Sequence, residues 1–251
     1  MRRCTTVFLL PALVLALCAA GCGVRPISDS GYRKEESAPG AAGQAASPFY
    51  KGELSEFDVL GISPEAKNTE EEIRRALESR QRFALPKGSR VMLIQSGAMI
   101  PDEPMSRALG RYYDVSVFSG VPAAASGGAY ASALRLAAAK AGCETIMVYW
   151  GILETAQTGH GGKIISWLPL VGGMVTDESQ EMRIRLKTAL VDVKSGRWEA
   201  FAPEPFQDRA RSARYTREAS DQAQVATLKA KAYGAAVEDV VKRYATAGRS
   251  N

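Results

Sequence analysis

The chain has 251 residues, enough for one domain of ordinary size with extensions. Apolar residues make up 46% and charged residues 24%, a composition typical of a globular protein with a buried core. The formal net charge of +5 is too small to favour nucleic-acid binding, and the single histidine, His160, disfavours enzymes that depend on several histidines.

The N-terminal residues have the three-part layout of a secretory signal. Arg2 and Arg3 supply a positive start, an almost wholly apolar stretch covers residues 5–20, and small residues follow. The apolar stretch is short for a membrane span, which needs about 20 residues. We therefore expect residues 1–21 to be a signal peptide that forms a helix; a transmembrane anchor is the alternative.

The string Ala19-Ala20-Gly21-Cys22 resembles a lipobox, the cleavage motif of bacterial lipoproteins. The resemblance implies cleavage before Cys22 and acylation of its thiol and of its new amino group. Each buried methylene contributes about 0.8 kcal/mol, so two or more acyl chains anchor a protein stably. The next residue is Gly23, not the aspartate that marks inner-membrane retention in enteric bacteria. We therefore expect a lipid anchor in the outer membrane, facing the periplasm.

Residues 22–49 contain the lipidated cysteine and a segment rich in Gly, Ala, Ser and Pro. This composition buries too little apolar surface to fold on its own. We expect a disordered, flexible tether that spans about 25–30 Å as a coil and about 85 Å when stretched; folding on a partner is the alternative. Residues 50–251 then form a single α/β domain in the periplasm.

The first half of this domain alternates between helix and strand signals. Thr69 and Glu72 form a capping-box pattern that opens a helix, with Ile73 and Leu77 as a weak apolar face. Apolar runs and helical spacings then predict a strand at 91–94, a helix at 104–111, a strand at 115–118, a helix at 130–141 and a central strand at 146–150.

The second half predicts a hairpin and a long helix. Apolar residues alternate with Arg183, Arg185 and Lys187 and predict a long strand over 182–190 with one wet face. A turn at Ser195-Gly196 leads to a strand at 198–201, and an apolar stripe predicts a helix over 215–245. The fold class is therefore α/β (α+β), a mixed β-sheet with helices packed on it and a long C-terminal helix, preceded by the signal helix and the disordered tether.

Several stretches resemble a known group of periplasmic proteins: RVMLIQSG, ALRLAAAKAGCETIMVYWGI, IRLKTALVDVKSGRWEAF and the closing helix. Their succession resembles the N-terminal domain of the Tol-Pal periplasmic protein. It is also similar to lipoproteins related to the curli secretion protein and the penicillin-binding-protein activator. The resemblance covers most of residues 90–245 and implies a binding and assembly protein rather than an enzyme.

The segment 159–176 is unusually apolar for a loop interrupted by four glycines and Pro169. Such a loop either folds back onto the core or contacts something else. We treat it as a candidate contact surface for the membrane, a protein partner or a second copy of the chain. Its candidate contact residues are Ile164, Ile165, Trp167, Leu168, Leu170 and Val171.

The sequence carries no recognisable catalytic motif. His160 lies among glycines, a flexible context that suits a catalytic base poorly. Cys143 directly precedes an apolar run and is predicted to be a core residue. Asp102 is predicted to be a solvated charge at a helix start, and the basic stripe 183–187 a solvated strand face or a contact for anionic envelope polymers. We expect no catalytic residue, no metal and no cofactor.

These observations favour a non-enzymatic, membrane-anchored periplasmic lipoprotein. We expect it to bind a protein partner or to form a homo-oligomer in cell-envelope assembly or transport, and not to bind nucleic acid. One alternative is an envelope hydrolase such as a peptidase, which needs a cleft where acids and His160 converge. A second is a secretion-pore subunit, which predicts ring-shaped oligomers in detergent.

Overall fold

The computed structural model describes residues 26–29, 52–63, 69–78, 83–119, 129–158, 165–169, 179–211 and 217–245. After a 3-10 turn at Ile27–Asp29, the elements follow in chain order. They are α1 (Glu56–Leu60), α2 (Glu70–Glu78), β1 (Arg90–Gln95), α3 (Glu103–Leu109), β2 (Asp114–Val117), α4 (Ala129–Lys140), β3 (Thr145–Thr158), β4 (Ile165–Pro169), β5 (Ser179–Asp192), β6 (Trp198–Phe201), β7 (Phe206–Arg211) and α5 (Arg217–Tyr244).

The strands form one mixed sheet. Its main order is β2-β1-β3-β5-β6, with β4 paired to β3 and β7 paired to β5. β1 is parallel to β2 and β3, whereas the other neighbours are antiparallel. Helices α3 and α4 lie in the connections between the parallel strands, where crossovers need them. The predicted mixed sheet with packed helices and a long C-terminal helix is confirmed.

The sheet separates two apolar cores. On one face, α3 and α5 cover a core that includes Leu93, Met147 and Val240. On the other face, α1 and α4 cover a core that includes Ile94 and Val148. Because β1 and the first half of β3 are buried on both faces, they appear in the sequence as continuous apolar runs.

The two longest strands extend beyond the parallel part of the sheet. β3 and β5 stay paired from Thr145↔Asp192 to Thr155↔Met182, whereas pairing with β1 ends at Tyr149. Past that point β3 is flanked by β4, and β5 is flanked by β7. We call this extension the arm: β4, β7 and the paired segments 154–158 of β3 and 179–184 of β5.

The prediction of a loop over 159–176 is wrong for Ile165–Pro169. These residues form β4, because their backbone pairs in antiparallel register with residues 154–158 of β3. The strand β7 was likewise not predicted. Both are short strands that depend on a long neighbour for their hydrogen bonds.

A short part of the predicted tether belongs to the fold. Pro26 forms a bridge with Ile152 of β3, and Ile27 is 1% exposed in the core beneath α5. Gly151 leaves the room for it, since a Cβ there would lie 2.6 Å from Ile27 Cδ1. The prediction of a flexible tether therefore does not hold at these residues. The rest of 22–49 and the predicted signal peptide lie outside the described residues, so the predicted domain boundaries stay predictions.

The helix predicted from the capping box begins as expected. The Thr69 backbone N–H donates to Glu72 Oε2 at 2.8 Å, and the Glu72 N–H donates to Thr69 Oγ1 at 3.2 Å. Its expected apolar face is not buried, since Ile73 is 47% and Leu77 61% exposed. Among the helices of the described residues, none combines the length and apolarity needed to cross a bilayer.

Candidate functional site

Of the predicted contact segment 159–176, the structure describes residues 165–169. Ile165, Trp167 and Leu168 belong to β4 and pair in register with Thr158, Ala156 and Thr155 of β3. His160 lies outside the described residues. So do the other predicted site residues, which are Cys22, Ile164, Leu170 and Val171. Their roles therefore stay predictions.

Within the described residues, β4 is an edge strand of the arm. It pairs with β3 on one side and with no described strand on the other. An edge strand presents backbone N–H and C=O groups that a further strand can use. Apart from Pro169, which edge strands tolerate, β4 contains three large apolar residues and one serine. β4 therefore combines an open edge with apolar composition.

The base of the arm carries a buried carboxylate between two arginines. Glu154 of β3 is 3% exposed and lies opposite Arg183 of β5. Glu154 Oε2 accepts a hydrogen bond from Arg183 Nε at 2.5 Å, and Glu154 Oε1 accepts one from Arg185 Nη2 at 2.6 Å. We call these three residues the carboxylate cluster. Because removing an ion from water costs several kcal/mol, the buried Glu154 carboxylate needs the two arginines beside it, of which Arg183 is 18% and Arg185 49% exposed.

The predicted solvated stripe is wrong for Arg183 and holds for Arg185 and Lys187, whose side chains are 49% and 42% exposed. Only 18% of the Arg183 side chain is exposed, and both arginines bind Glu154. Lys187, the next basic residue along the strand, forms an ion pair with Glu56 of α1. The stripe thus fixes β3 and α1 to β5. It also fixes the strand register, because a slip of one residue would move Glu154 to the other face of the sheet.

A second polar cluster lies at the carboxyl end of β1, beneath α5. Gln95 Oε1 accepts hydrogen bonds from the Asp102 backbone N–H at 2.6 Å and from the Tyr149 hydroxyl at 2.5 Å. Asp102 Oδ2 accepts one from the Tyr233 hydroxyl at 2.5 Å and lies 2.8 Å from Lys229 Nζ. We call Gln95, Asp102, Tyr149, Lys229 and Tyr233 the helix cluster. Since Tyr233 and Lys229 belong to α5, it connects the C-terminal helix to the sheet.

The electrostatics of the helix cluster favour a structural role. Burial raises the pKa of Tyr149 and of Tyr233 well above the ordinary tyrosine value, so both hydroxyls remain protonated donors at neutral pH. Asp102, predicted to be a solvated helix-start charge, instead balances Lys229, whose side chain is 11% exposed. These groups are committed to holding α5 against β1 and β3.

Cys143 lies where the sequence predicted it, buried in the core beneath α4 and free of any disulfide. Burial raises the pKa of its thiol, which keeps it protonated and unreactive. Within the described ranges, no three His, Cys, Asp or Glu side chains meet in a way that could hold a metal ion.

Solved structures of other proteins are similar to part of the chain. The dodecamer of a single-substitution variant of PelC from Paraburkholderia phytofirmans is 16% identical with a TM-score of 0.27, covering 61% of this chain and 95% of that one. The solution structure of uncharacterized lipoprotein B from Nitrosomonas europaea is 12% identical with a TM-score of 0.31, covering 65% of this chain and 86% of that one. No curated protein sequence matches the chain.

The family comparison covers both clusters and the arm. A sequence profile described as YafT bacterial lipoprotein matches residues 55–243. The matched region runs from the start of α1 to the penultimate residue of α5. The chain therefore belongs to the YafT bacterial lipoprotein family.

Proposed function

We propose that this bacterial lipoprotein is a non-enzymatic, membrane-anchored protein that binds through the edge strand β4. Its partner is a protein of the cell envelope or a second copy of the chain, in envelope assembly or transport. Family membership supports a membrane-anchored lipoprotein. The proposal further includes acylation at Cys22, location in the outer membrane facing the periplasm, and protein binding. The observation that carries it is the apolar edge strand β4, which pairs with β3 and with no other strand of the described residues.

Strand addition is the binding mode that this edge favours. In that mode, backbone hydrogen bonds supply affinity and alternate side chains supply specificity. The buried core of a protein interface is more apolar than the rest of the surface, and aromatic residues are enriched there; β4 provides Trp167 with Ile165 and Leu168. Charged residues, which commonly protect edge strands from pairing, are absent from β4 itself.

The carboxylate cluster gives the arm a rigid base. Glu154 joins β3 to β5 at the point where β4 begins to pair with β3. A binding edge whose neighbouring strands are held together loses less conformational entropy when a partner docks. This supports β4 as a preorganised binding strand rather than a segment that must become ordered when the partner binds.

The proposal predicts a site-specific photo-crosslink in living cells. With a photoreactive phenylalanine analogue at Ile165, we expect an adduct, which mass spectrometry identifies as either a second copy or another envelope protein. Adding Trp167→Ser and Leu168→Ser should reduce the adduct yield about tenfold, the effect of losing about 1.4 kcal/mol of binding free energy.

The matched control places the same analogue at Leu136, which is 56% exposed and lies on α4, outside the arm. Leu136 should give no specific adduct. Equal labelling from both positions, or no adduct from Ile165 in a protein with an unchanged unfolding temperature, would contradict binding through β4.

A further inference from the structure

The polypeptide directly after the predicted lipidation site is fastened to the sheet. Pro26 bridges Ile152, and Ile27 fills the space over Gly151. Ser28 Oγ donates a hydrogen bond to Glu53 Oε1 at 3.1 Å. The second oxygen of Glu53 accepts a hydrogen bond from Ser96, at the end of β1. We call Pro26–Ser28 the N-terminal latch.

The latch changes how far the lipid anchor can be from the domain. Cys22 is only four residues before Pro26, and an extended chain spans at most about 3.6 Å per residue. The acylated residue therefore lies within about 14 Å of Pro26. Without the latch, the chain from Cys22 to Gly52 would span about 30 Å as a coil and about 100 Å when stretched.

The direction of the latch shows which side of the domain is close to the anchor. The bridge between Pro26 and Ile152 is antiparallel. Two residues further along β3, Glu154 pairs with Pro169 of β4. From Pro26 onward the latch therefore runs away from the arm, and Pro26 is its end nearer to the arm. On the opposite side of Ile152, β3 is flanked by β1 up to Tyr149.

We propose that the N-terminal latch holds the arm side of the sheet against the phospholipid surface of the anchoring membrane. This proposal rests on the lipidation of Cys22 that is part of the proposed function. The lipid anchor then fixes a distance and an orientation, and the apolar strand β4 meets its partner at the bilayer surface. The segment after the latch is a connection within the domain and adds nothing to the reach of the anchor.

Two matched insertions test the latch in the full-length lipidated protein. Each adds about ten Gly and Ser residues, which lengthen the four-residue connection from Cys22 to Pro26 from about 11 Å to about 21 Å when they stand before the latch. One insertion lies between Gly23 and Val24, before the latch, and the other between Ala41 and Ala42, after it. The protein is reconstituted in vesicles of phosphatidylethanolamine and phosphatidylglycerol. Energy transfer is measured from a fluorophore on a cysteine replacing Leu136, which is exposed on α4, to acceptors on the lipid headgroups.

We expect the insertion before the latch to lower the transfer efficiency and the insertion after it to leave the efficiency unchanged. With Ile27→Ser, which opens the latch, both insertions should lower it equally. Equal effects of the two insertions in the protein with Ile27 intact would overturn the latch while leaving the lipoprotein proposal standing. If the protein does not float with the vesicles, the lipidation of Cys22, and with it both proposals, is overturned.

Discussion

Replacing Glu154 with Ala is expected to lower the free energy of unfolding by about 3 kcal/mol, the lower end of the range for removing one partner from a buried ion pair, because the Arg185 side chain is 49% exposed. The change leaves the guanidinium groups of Arg183 and Arg185 side by side without the carboxylate between them. Their mutual repulsion and lost hydrogen bonds act at the base of the arm. Urea denaturation measures the loss, and hydrogen exchange should show faster opening of β4 and β7 than of β1.

The ion pair between Glu56 of α1 and Lys187 of β5 is the matched control, since both side chains are about two-fifths exposed and Lys187 lies on the same face of β5 as Arg183. Glu56→Ala should cost about 1 kcal/mol or less, because exposed pairs contribute little. A Glu154→Ala variant no less stable than Glu56→Ala would contradict the structural role that we assign to the carboxylate cluster.

Asp102→Ala is expected to cost about 3 kcal/mol, at the lower end of the range for a broken buried pair, since the Asp102 side chain is 26% exposed. The substitution leaves the Lys229 ammonium, which is 11% exposed, without its counter-charge. It also removes the acceptor of the Tyr233 hydroxyl. Because α5 loses both its ion pair and its hydrogen bond to Asp102, thermal unfolding should begin at a lower temperature.

Two further variants separate charge balance from simple loss of contacts. Lys229→Met in the Asp102→Ala background should recover part of the stability, because it removes the uncompensated charge. Arg107→Ala, which breaks an exposed i,i+4 pair with Glu103 within α3, should cost about 0.3–0.5 kcal/mol. Absence of recovery in the double variant would show that the charge on Lys229 does not explain the loss.

The sequence predicted the elements whose signals are local. The buried strands β1 and β3 appear as apolar runs, and α5 as an apolar stripe at helical spacing. The hairpin after β5 appears as Asp192 and Ser195, and the structure shows the Ser195 backbone N–H donating to Asp192 Oδ1 at 2.6 Å. In these cases, the residues that form the element are also the residues that signal it.

Elements that depend on distant neighbours were missed. β4 is a five-residue strand whose hydrogen-bonded partner is the far half of β3, and its flanking glycines favour a loop. Ile27 is one apolar residue in a polar, proline-containing segment, and its burial depends on the absence of a side chain at Gly151. Neither dependence can be inferred from the composition of the segment itself.

The carboxylate cluster and the helix cluster were also missed, because their residues are distant from one another in the sequence. Asp102 and Tyr233 are 131 residues apart in the chain, and Arg183 and Glu154 are 29 apart. The available signal was an acid in an otherwise apolar strand, opposite a strand with alternating arginines. That pattern indicates charge pairing across a hairpin only once the register of β3 against β5 is known.

The lipid anchor at Cys22 is tested most directly by mass spectrometry of the N-terminal peptide from protein purified out of bacterial membranes. We expect a peptide that begins at Cys22 and carries diacylglycerol on its thiol and an acyl chain on its amino group, while Cys22→Ser releases the protein from membranes. An unmodified Cys22 within a longer peptide, in a protein that still fractionates with membranes, would contradict the lipid anchor on which the account depends.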